Sequence, residues 1–489
     1  MDTFRRGLLI MLLLGSVALA GCYVLQKSSG SGQASFSPPR QVNAADVALP
    51  AGYRVEAVAT GLTFPTGVTF DDQGRVYVVE SGYSYGEVWT KPRLLRVEAN
   101  GQLAELAVGG RNGPWTGVTF HGGNFYVAEG GVLEGGRIVR ITPDGTIAAL
   151  VSNLPSHGDH HTDGPVIGPD GWLYFGQGTA SNSGVVGVDN AEFGWLNRFP
   201  DFHDIPAKNI TLSGQNFTTP NPLKPGGGGK VTTGAFLPFG TASFPGQVIK
   251  GQMPCNGAIL RIRPEGDQLE LVAWGLRNPF GLAFGPQGRL YVTENSYDVR
   301  GSRPVWGVPD VLWRIEPGTW YGWPDFAAGM PLTDSRFKPP FESQPKFLLA
   351  SHPNPPPKPV AMFGVHSSAN GFDFSRNPAF GHVGEAFVAL FGDQAPVVGK
   401  TLHPVGNKVV RVNVENGVIQ EFAVNKGRVH GPASKIGGGG LERPVAARFT
   451  PGGEALYVVD FGVMLQDKHG SYPQPGTGVL WRISRDGRQ

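Results

Sequence analysis

Cysteine is nearly missing from this chain of 489 residues, which has 2, Cys22 and Cys255. Cys22 directly follows an apolar N-terminal stretch, so the chain beyond it has one thiol and no internal disulfide framework. Burial and backbone pairing must hold the fold together. No Cys-x-x-Cys-His occurs, which excludes a covalently attached c-type haem. Charge is also sparse: 16% of residues are charged and the net charge is +2. Without a basic stripe the chain is not read as a nucleic-acid binder. Beyond that N-terminal stretch no long hydrophobic run appears, and no long amphipathic helical pattern competes for the chain.

Glycine (73) and proline (42) are abundant instead. They are spread through the chain and interleaved with Val, Tyr and Phe. Hydrophobic residues make up 40%, too many for a disordered polymer. The composition reads as many short strands joined by tight turns.

The N-terminus reads as an export signal. Arg5 and Arg6 precede an apolar run, Leu8 to Ala20, too short to span a bilayer. Leu19-Ala20-Gly21-Cys22 resembles a bacterial lipobox, which implies removal of residues 1–21 and lipidation of Cys22. The expected product is an exported lipoprotein at the periplasmic or extracellular face of a membrane. Residues 22–45, rich in Ser and Gly between Ser28 and Pro39, are expected to be a flexible tether. Residues 46–489 form the folded domain.

One phrase recurs: a Gly or small residue, alternating apolars, a Gly-bearing turn, then alternating apolars with an aromatic. It starts at Gly67, Gly117, Gly164, Gly281, Gly371 and Ala447. Each copy is a β-hairpin signal. A second phrase follows most copies, in Arg93–Val97, Gly136–Ile141, Ala258–Ile262, Val311–Ile315, Lys408–Val412 and Val479–Ile483. Two hairpins per unit make a four-stranded blade, and the repeats predict an all-β, six-bladed β-propeller with long inter-strand insertions. The insertions are residues 188–256 and the Pro-rich 337–360, expected over one face around the channel mouth. Residues 188–256 and 328–365 are expected to carry specificity.

Two clusters stand before inner hairpins. His157-Gly-Asp-His-His-Thr-Asp163 holds three of the 11 histidines. A neutral imidazole from His160 or His161 could take a proton from a substrate hydroxyl; a solvated polar loop is the plainer alternative. A binuclear metal reading of His157-Gly-Asp159-His160 lacks its preceding histidine, since Pro155 holds that place. Arg277 and Asn278, in Trp274-Gly-Leu-Arg-Asn-Pro-Phe-Gly-Leu-Ala-Phe284, occupy the equivalent place. They offer a planar cationic fork and a donor-acceptor amide.

Gly275-Leu-Arg-Asn-Pro, a strand ending Thr293-Glu-Asn295, Tyr321-Gly-Trp-Pro324, and a His ahead of Gly168-Pro-Asp-Gly171 together resemble the soluble quinoprotein glucose/sorbosone dehydrogenase family, over roughly residues 48–486. The resemblance implies a six-bladed propeller binding pyrroloquinoline quinone (PQQ) and Ca2+, and oxidation of a sugar or aldehyde. It implies a channel base at His160 or His161, with His160 favoured by its spacing from Gly168. It implies cofactor contacts from Arg277 and Asn278, a cofactor carboxylate pair with Arg443, and a cofactor lysine at Lys400. The family's Gly-Pro metal loop is replaced by Asn295-Ser296-Tyr297-Asp298, whose Asn295, Ser296 and Asp298 offer hard oxygen ligands. An external electron acceptor is then needed, and a lipid anchor would place the protein near one. The alternatives are a lipid-anchored, non-redox propeller binding a glycan or a partner, and a metal-dependent hydrolase of the lactonase type.

Overall fold

The computed structural model describes residues 28–33, 36–82, 89–131, 133–224, 226 and 228–486. The signal segment and Cys22 lie outside the described residues. Six antiparallel sheets of four or five strands form the blades. Blade 1 runs Pro65–Phe70, Val76–Glu80, Arg93–Val97 and Leu103–Val108. Blade 2 runs Trp115–His121, Asn124–Glu129, Gly136–Ile141 and Ile147–Leu154. Blade 3 is Thr162–Ile167, Leu173–Gln177, Ala258–Ile262 and Glu270–Trp274, and blade 4 is Pro279–Phe284, Leu290–Glu294, Pro309–Arg314 and Ala361–Val365. Blade 5 is Ala369–Phe374, Ala386–Leu390, Lys408–Val412 and Ile419–Asn425, extended at its edge by Val47–Ala48. Blade 6 takes Pro444–Phe449, Ala455–Asp460 and Gly478–Arg485 from the C-terminal part and Tyr53–Leu62 from the N-terminal part. Pairing the two ends of the chain in one sheet closes the ring, so the propeller has no open seam. The repeated phrases therefore mark the inner hairpins and the third strands.

Glycine recurs in the inner strands because neighbouring backbones meet there. A Cβ on Gly117 would lie 2.0 Å from the Gly164 carbonyl oxygen, and one on Gly281 would lie 2.5 Å from that of Asn370. Apolar residues of adjacent blades interdigitate between the sheets, as in the cluster of Tyr77, Val79, Trp115, Phe125 and Val127 joining blades 1 and 2.

The first insertion reaches the cavity mouth, which its Phe193 lines, and it also packs on the second. The long excursion between Leu173–Gln177 and Ala258–Ile262 holds two short helices, Val188–Glu192 and Trp195–Arg198, and two small ribbons. It packs on the excursion between Pro309–Arg314 and Ala361–Val365, through Leu212 opposite Leu349, Ser213 N–H donating to Leu348 O and Ala350 N–H donating to Thr211 O. Leu212, Phe236, Trp320, Trp323, Phe337 and Leu348 build a shared core there. Burial of these apolar residues fixes the two excursions against each other. The tether expectation also needs correction: Ser28–Gln33 is docked on the domain, with Ser31 buried against Asp393.

Candidate active site

All inner strands begin at one face of the propeller, and a cavity of about 190 Å³ opens there on the axis. Its floor takes the second residue of each inner strand: Thr66, Thr116, Asp163, Phe280, Asn370 and Val445. The residues just before these strands form the next layer. His160 and His161 come from blade 3, and Arg277 and Asn278 from blade 4, all four against the same cavity.

In blades 1, 4 and 6 the backbone before the inner strand is held by an acid at the end of the second strand. Glu294 accepts from the Arg277 backbone N–H and, at 2.5 Å, from the Trp313 indole. Asp460 holds the same place in blade 6, accepting from Glu442 N–H at 2.9 Å, Arg443 N–H at 2.8 Å and the Trp481 indole at 3.2 Å. Burial pushes the Glu294 carboxyl up to about 7. Thr293-Glu-Asn295 is thus a backbone-fixing motif repeated by the fold.

His160 is 6% exposed. Its Nδ1 lies 3.0 Å from Thr179 O and 3.1 Å from Thr179 Oγ1, and that hydroxyl donates to Ser181 O at 2.8 Å. Both neighbours therefore act as acceptors toward the ring, which assigns the proton to Nδ1 and leaves Nε2 as the acceptor. Burial, followed by the positive charges of Arg277 and Arg300, holds the imidazole well below its ordinary range, so it is neutral at working pH. Gly178 makes room for it, since a Cβ there would lie 2.3 Å from His160 Cβ. His161 lines the same cavity, and burial pushes it down to about 4.

Beside His160 stands an ion-pair wall. Arg277, 2% exposed, donates through Nε to Asn182 O (3.0 Å), through Nη1 to Asn295 O (3.2 Å) and through Nη2 to Asn182 Oδ1 (2.9 Å) and Asp298 Oδ2 (3.0 Å). Arg300 pairs with Asp159 and Asp189 at 2.6 Å each and with Asp298 at 3.0 Å. Asp298 is thereby bonded to two guanidinium groups rather than open as a metal ligand. Asn295 and Ser296 line the cavity, but the Asn295 amide donates to Asn370 Oδ1 at 3.0 Å, and the Ser296 N–H donates to Asp310 at 2.9 Å. Among the described residues no group of three or more His, Cys, Asp or Glu side chains could hold a metal ion.

Two expected cofactor residues lie elsewhere. Arg443 does not line the cavity; its Nη1 donates to Gly392 O and Asp393 O at 3.1 Å each, and its guanidinium sits 4.9 Å from the centre of the Phe391 ring. Three backbone carbonyls at the end of blade 5 draw it away from the axis. Lys400, half-buried in the loop before Lys408–Val412, does not reach the cavity either. Tyr321-Gly-Trp-Pro324 is structural: the Trp320 indole donates to Trp323 O, and the Tyr321 hydroxyl donates to Arg314 O.

Several residues lining the cavity or holding Arg277 carry no clear sequence signal. Asp159 and Asp163 sit inside the histidine-rich stretch, but nothing in it separates them from turn carboxylates. Arg300 and Asn182 lie in loops that only tertiary structure brings to Arg277. Asp163 is 2% exposed, its Oδ2 is buried without a hydrogen bond, and burial holds the carboxyl well above its usual range. Asn278 Oδ1 is likewise buried and without a hydrogen bond.

Fold and site together define a six-bladed propeller with an axial cavity that sets a neutral histidine beside a buried arginine and asparagine. No protein-family model matches the chain, and no curated protein matches it. Among solved structures it is similar to the PQQ-bound aldose sugar dehydrogenase of Streptomyces coelicolor (17% identity, 90% of this chain and 100% of that chain, TM-score 0.51). It is also similar to the holo PQQ domain of the Coprinopsis cinerea pyranose dehydrogenase (17% identity, 94% and 100%, TM-score 0.55). A third is the calcium structure of the Trichoderma reesei carbohydrate-active enzyme of family AA12 (16% identity, 92% and 100%, TM-score 0.53). At these identities the likeness establishes the propeller fold.

Proposed function

We propose that the protein is a PQQ-dependent dehydrogenase that oxidises a sugar or a related aldose or aldehyde. The observation that carries this reading is His160, neutral, with Nε2 as acceptor, on one cavity with Arg277 and Asn278. The structural neighbours named for PQQ and sugar substrates support the same reading.

The cavity residues suit a flat, polyoxygenated ring. Phe280, Phe391 and Phe461 offer apolar faces, while Asn278 Oδ1 and Asp163 Oδ2 are buried polar atoms awaiting partners. Asn278 would hold the ring's edge through its amide. Asp163, kept protonated by burial, would donate a hydrogen bond from the floor. Arg277 has five N–H groups, of which four are committed, leaving one Nη1 hydrogen for a carboxylate. Ca2+ would be held by oxygens of Asn295, Ser296 and Asp298, with Asp298 giving up an arginine to do so. Bound there, PQQ would supply a two-electron acceptor, the hard step that the side chains cannot perform.

The chain's own residues handle the proton and the orientation. His160 Nε2 accepts the hydroxyl proton of the substrate carbon being oxidised. Thr179 holds the ring through Nδ1 and fixes the tautomer. The charge on Arg277 and Arg300 opposes protonation of His160 before substrate arrives. Electrons leave to an external acceptor. The proposal includes export, lipidation of Cys22 and membrane attachment.

Titration of the purified chain with PQQ and Ca2+ tests the proposal. Thermal stabilisation and aldose-dependent dye reduction are expected. A folded protein that shows neither with any aldose or aldehyde tried would overturn it.

A further inference from the structure

The segment just after Cys22 is gripped at the cavity rim. Ser28 Oγ donates to Thr401 O at 3.2 Å. The Ser31 N–H and hydroxyl both donate to the Asp393 carboxylate. Lys435 Nζ donates to Ser29 O at 3.1 Å and to Gly30 O. Gly30 and Gly32 fit because they lack side chains: a Cβ would lie 2.3 Å from Asp393 Oδ1 in the first case and 2.6 Å from Gln466 Cγ in the second. Three elements meet around this segment, the loop 391–407, the loop 426–443 and the ribbon Met464–Gln466/Ser471–Pro473. The first and third also line the cavity, through Gln394 and Ser471.

These elements join second to third strands, or one blade to the next, so they share the propeller face on which the cavity opens. Their outer surface exposes Leu402 (39%), Val429 (64%) and Tyr472 (39%). Lys426, Arg428 and Lys468 are exposed among them, against one exposed acid of the ribbon, Asp467. Apolar tips set among cations suit an anionic lipid surface. Chain length adds a second argument. Ser28 follows Cys22 by six residues, a reach of at most about 20 Å when fully extended. A lipid on Cys22 cannot sit far from this rim.

We infer that this face is the membrane-docking surface, with the cavity mouth turned toward an anionic bilayer and Leu402, Val429 and Tyr472 entering its interface. The inference rests on the proposed lipidation of Cys22. It predicts that a membrane-dissolved electron acceptor reaches the cavity from the lipid side. A protein anchored only by a free tether would show no preferred face.

Fluorophores placed by Val429→Cys and Tyr472→Cys in the full-length acylated protein test this against Val418→Cys, in the turn before Ile419–Asn425 on the opposite face. Cys255 is buried and will not compete for label. On phosphatidylethanolamine–phosphatidylglycerol vesicles carrying nitroxide lipids, the labels at 429 and 472 should be quenched several-fold more than that at 418, and the difference should shrink in high salt. Equal quenching at all three positions, or more at 418, overturns the docking surface. The mass of the same sample separates the two ideas. An acylated chain without a preferred face removes docking alone, whereas an unacylated Cys22 removes the lipoprotein reading and docking with it. Neither result depends on PQQ.

Discussion

Blades 3 and 4 and blades 5 and 6 present the same strand register to the axis and yet treat equivalent residues differently. His161, Asn278 and Arg443 each stand three residues before the Gly or Ala of the inner strand. The first two reach the cavity and the third does not. The residue that follows the second strand of the preceding blade differs among them. It is Gly130 ahead of His161 and Gly178 ahead of Asn278, but Phe391 ahead of Arg443 and Phe461 ahead of Phe64 in blade 1. Phe391 covers Arg443, and Phe461 stacks on Phe64, the equivalent residue of blade 1. A small residue there opens a polar wall, and an aromatic closes it into an apolar one. The propeller thus has a chemical side and a packing side.

The strongest way to break this comparison is at the chemical side. His160→Ala should lower turnover by about 10²–10⁴-fold, the usual contribution of a positioned base, with PQQ binding kept. His161→Ala should have a much smaller effect, and steady-state kinetics with cofactor titration will separate the two. Similar mild losses from both would reduce the histidine stretch to a structural loop.

Arginine replacements on the two sides give the next largest contrast. Arg277→Met leaves Asp298 and Asn182 without a partner they now share, and should cost about 3–5 kcal/mol of stability together with cofactor affinity. Arg443→Met should cost about 1–3 kcal/mol, since backbone carbonyls lose their donor, and leave affinity unchanged. Denaturant unfolding and PQQ titration measure both.

Phe391→Ala tests the covering role itself. A loss of about 3 kcal/mol is expected for a buried phenylalanine, and Arg443 should become reactive toward phenylglyoxal. An Arg443 that stays protected would mean that its carbonyl ligands alone hold it from the axis.

The smallest effect concerns pH. His160 and Glu442 occupy equivalent positions and respond in opposite directions. Burial keeps His160 neutral in the fold, whereas the unfolded chain takes up a proton near 6.5. Its contribution to stability is therefore present above pH 6.5 and lost as pH falls below it. Burial pushes the Glu442 carboxyl up to about 7, so the fold retains a proton that the unfolded chain releases near 4.5. That contribution is present below pH 4.5 and lost as pH rises through 7. His160→Ala should flatten the acid side of a melting profile and Glu442→Gln the neutral side, each by a few degrees. Turnover should hold its level down through pH 6, because His160 needs no deprotonation there.

The recurring hairpin phrase, by itself, determined the six blades, the inner strands and the place where His160, His161, Arg277 and Asn278 converge. Period-two alternation and turn glycines are local signals, and a propeller repeats them once per blade. Only the tertiary structure decided what surrounds those residues. Arg300, Asp159 and Asn182 gather around Arg277 from separate segments, Arg443 turns to carbonyls beneath Phe391, and the two insertions bury apolar surface against one another. Strand register follows from neighbours in sequence, whereas charge pairing and burial follow from neighbours in space.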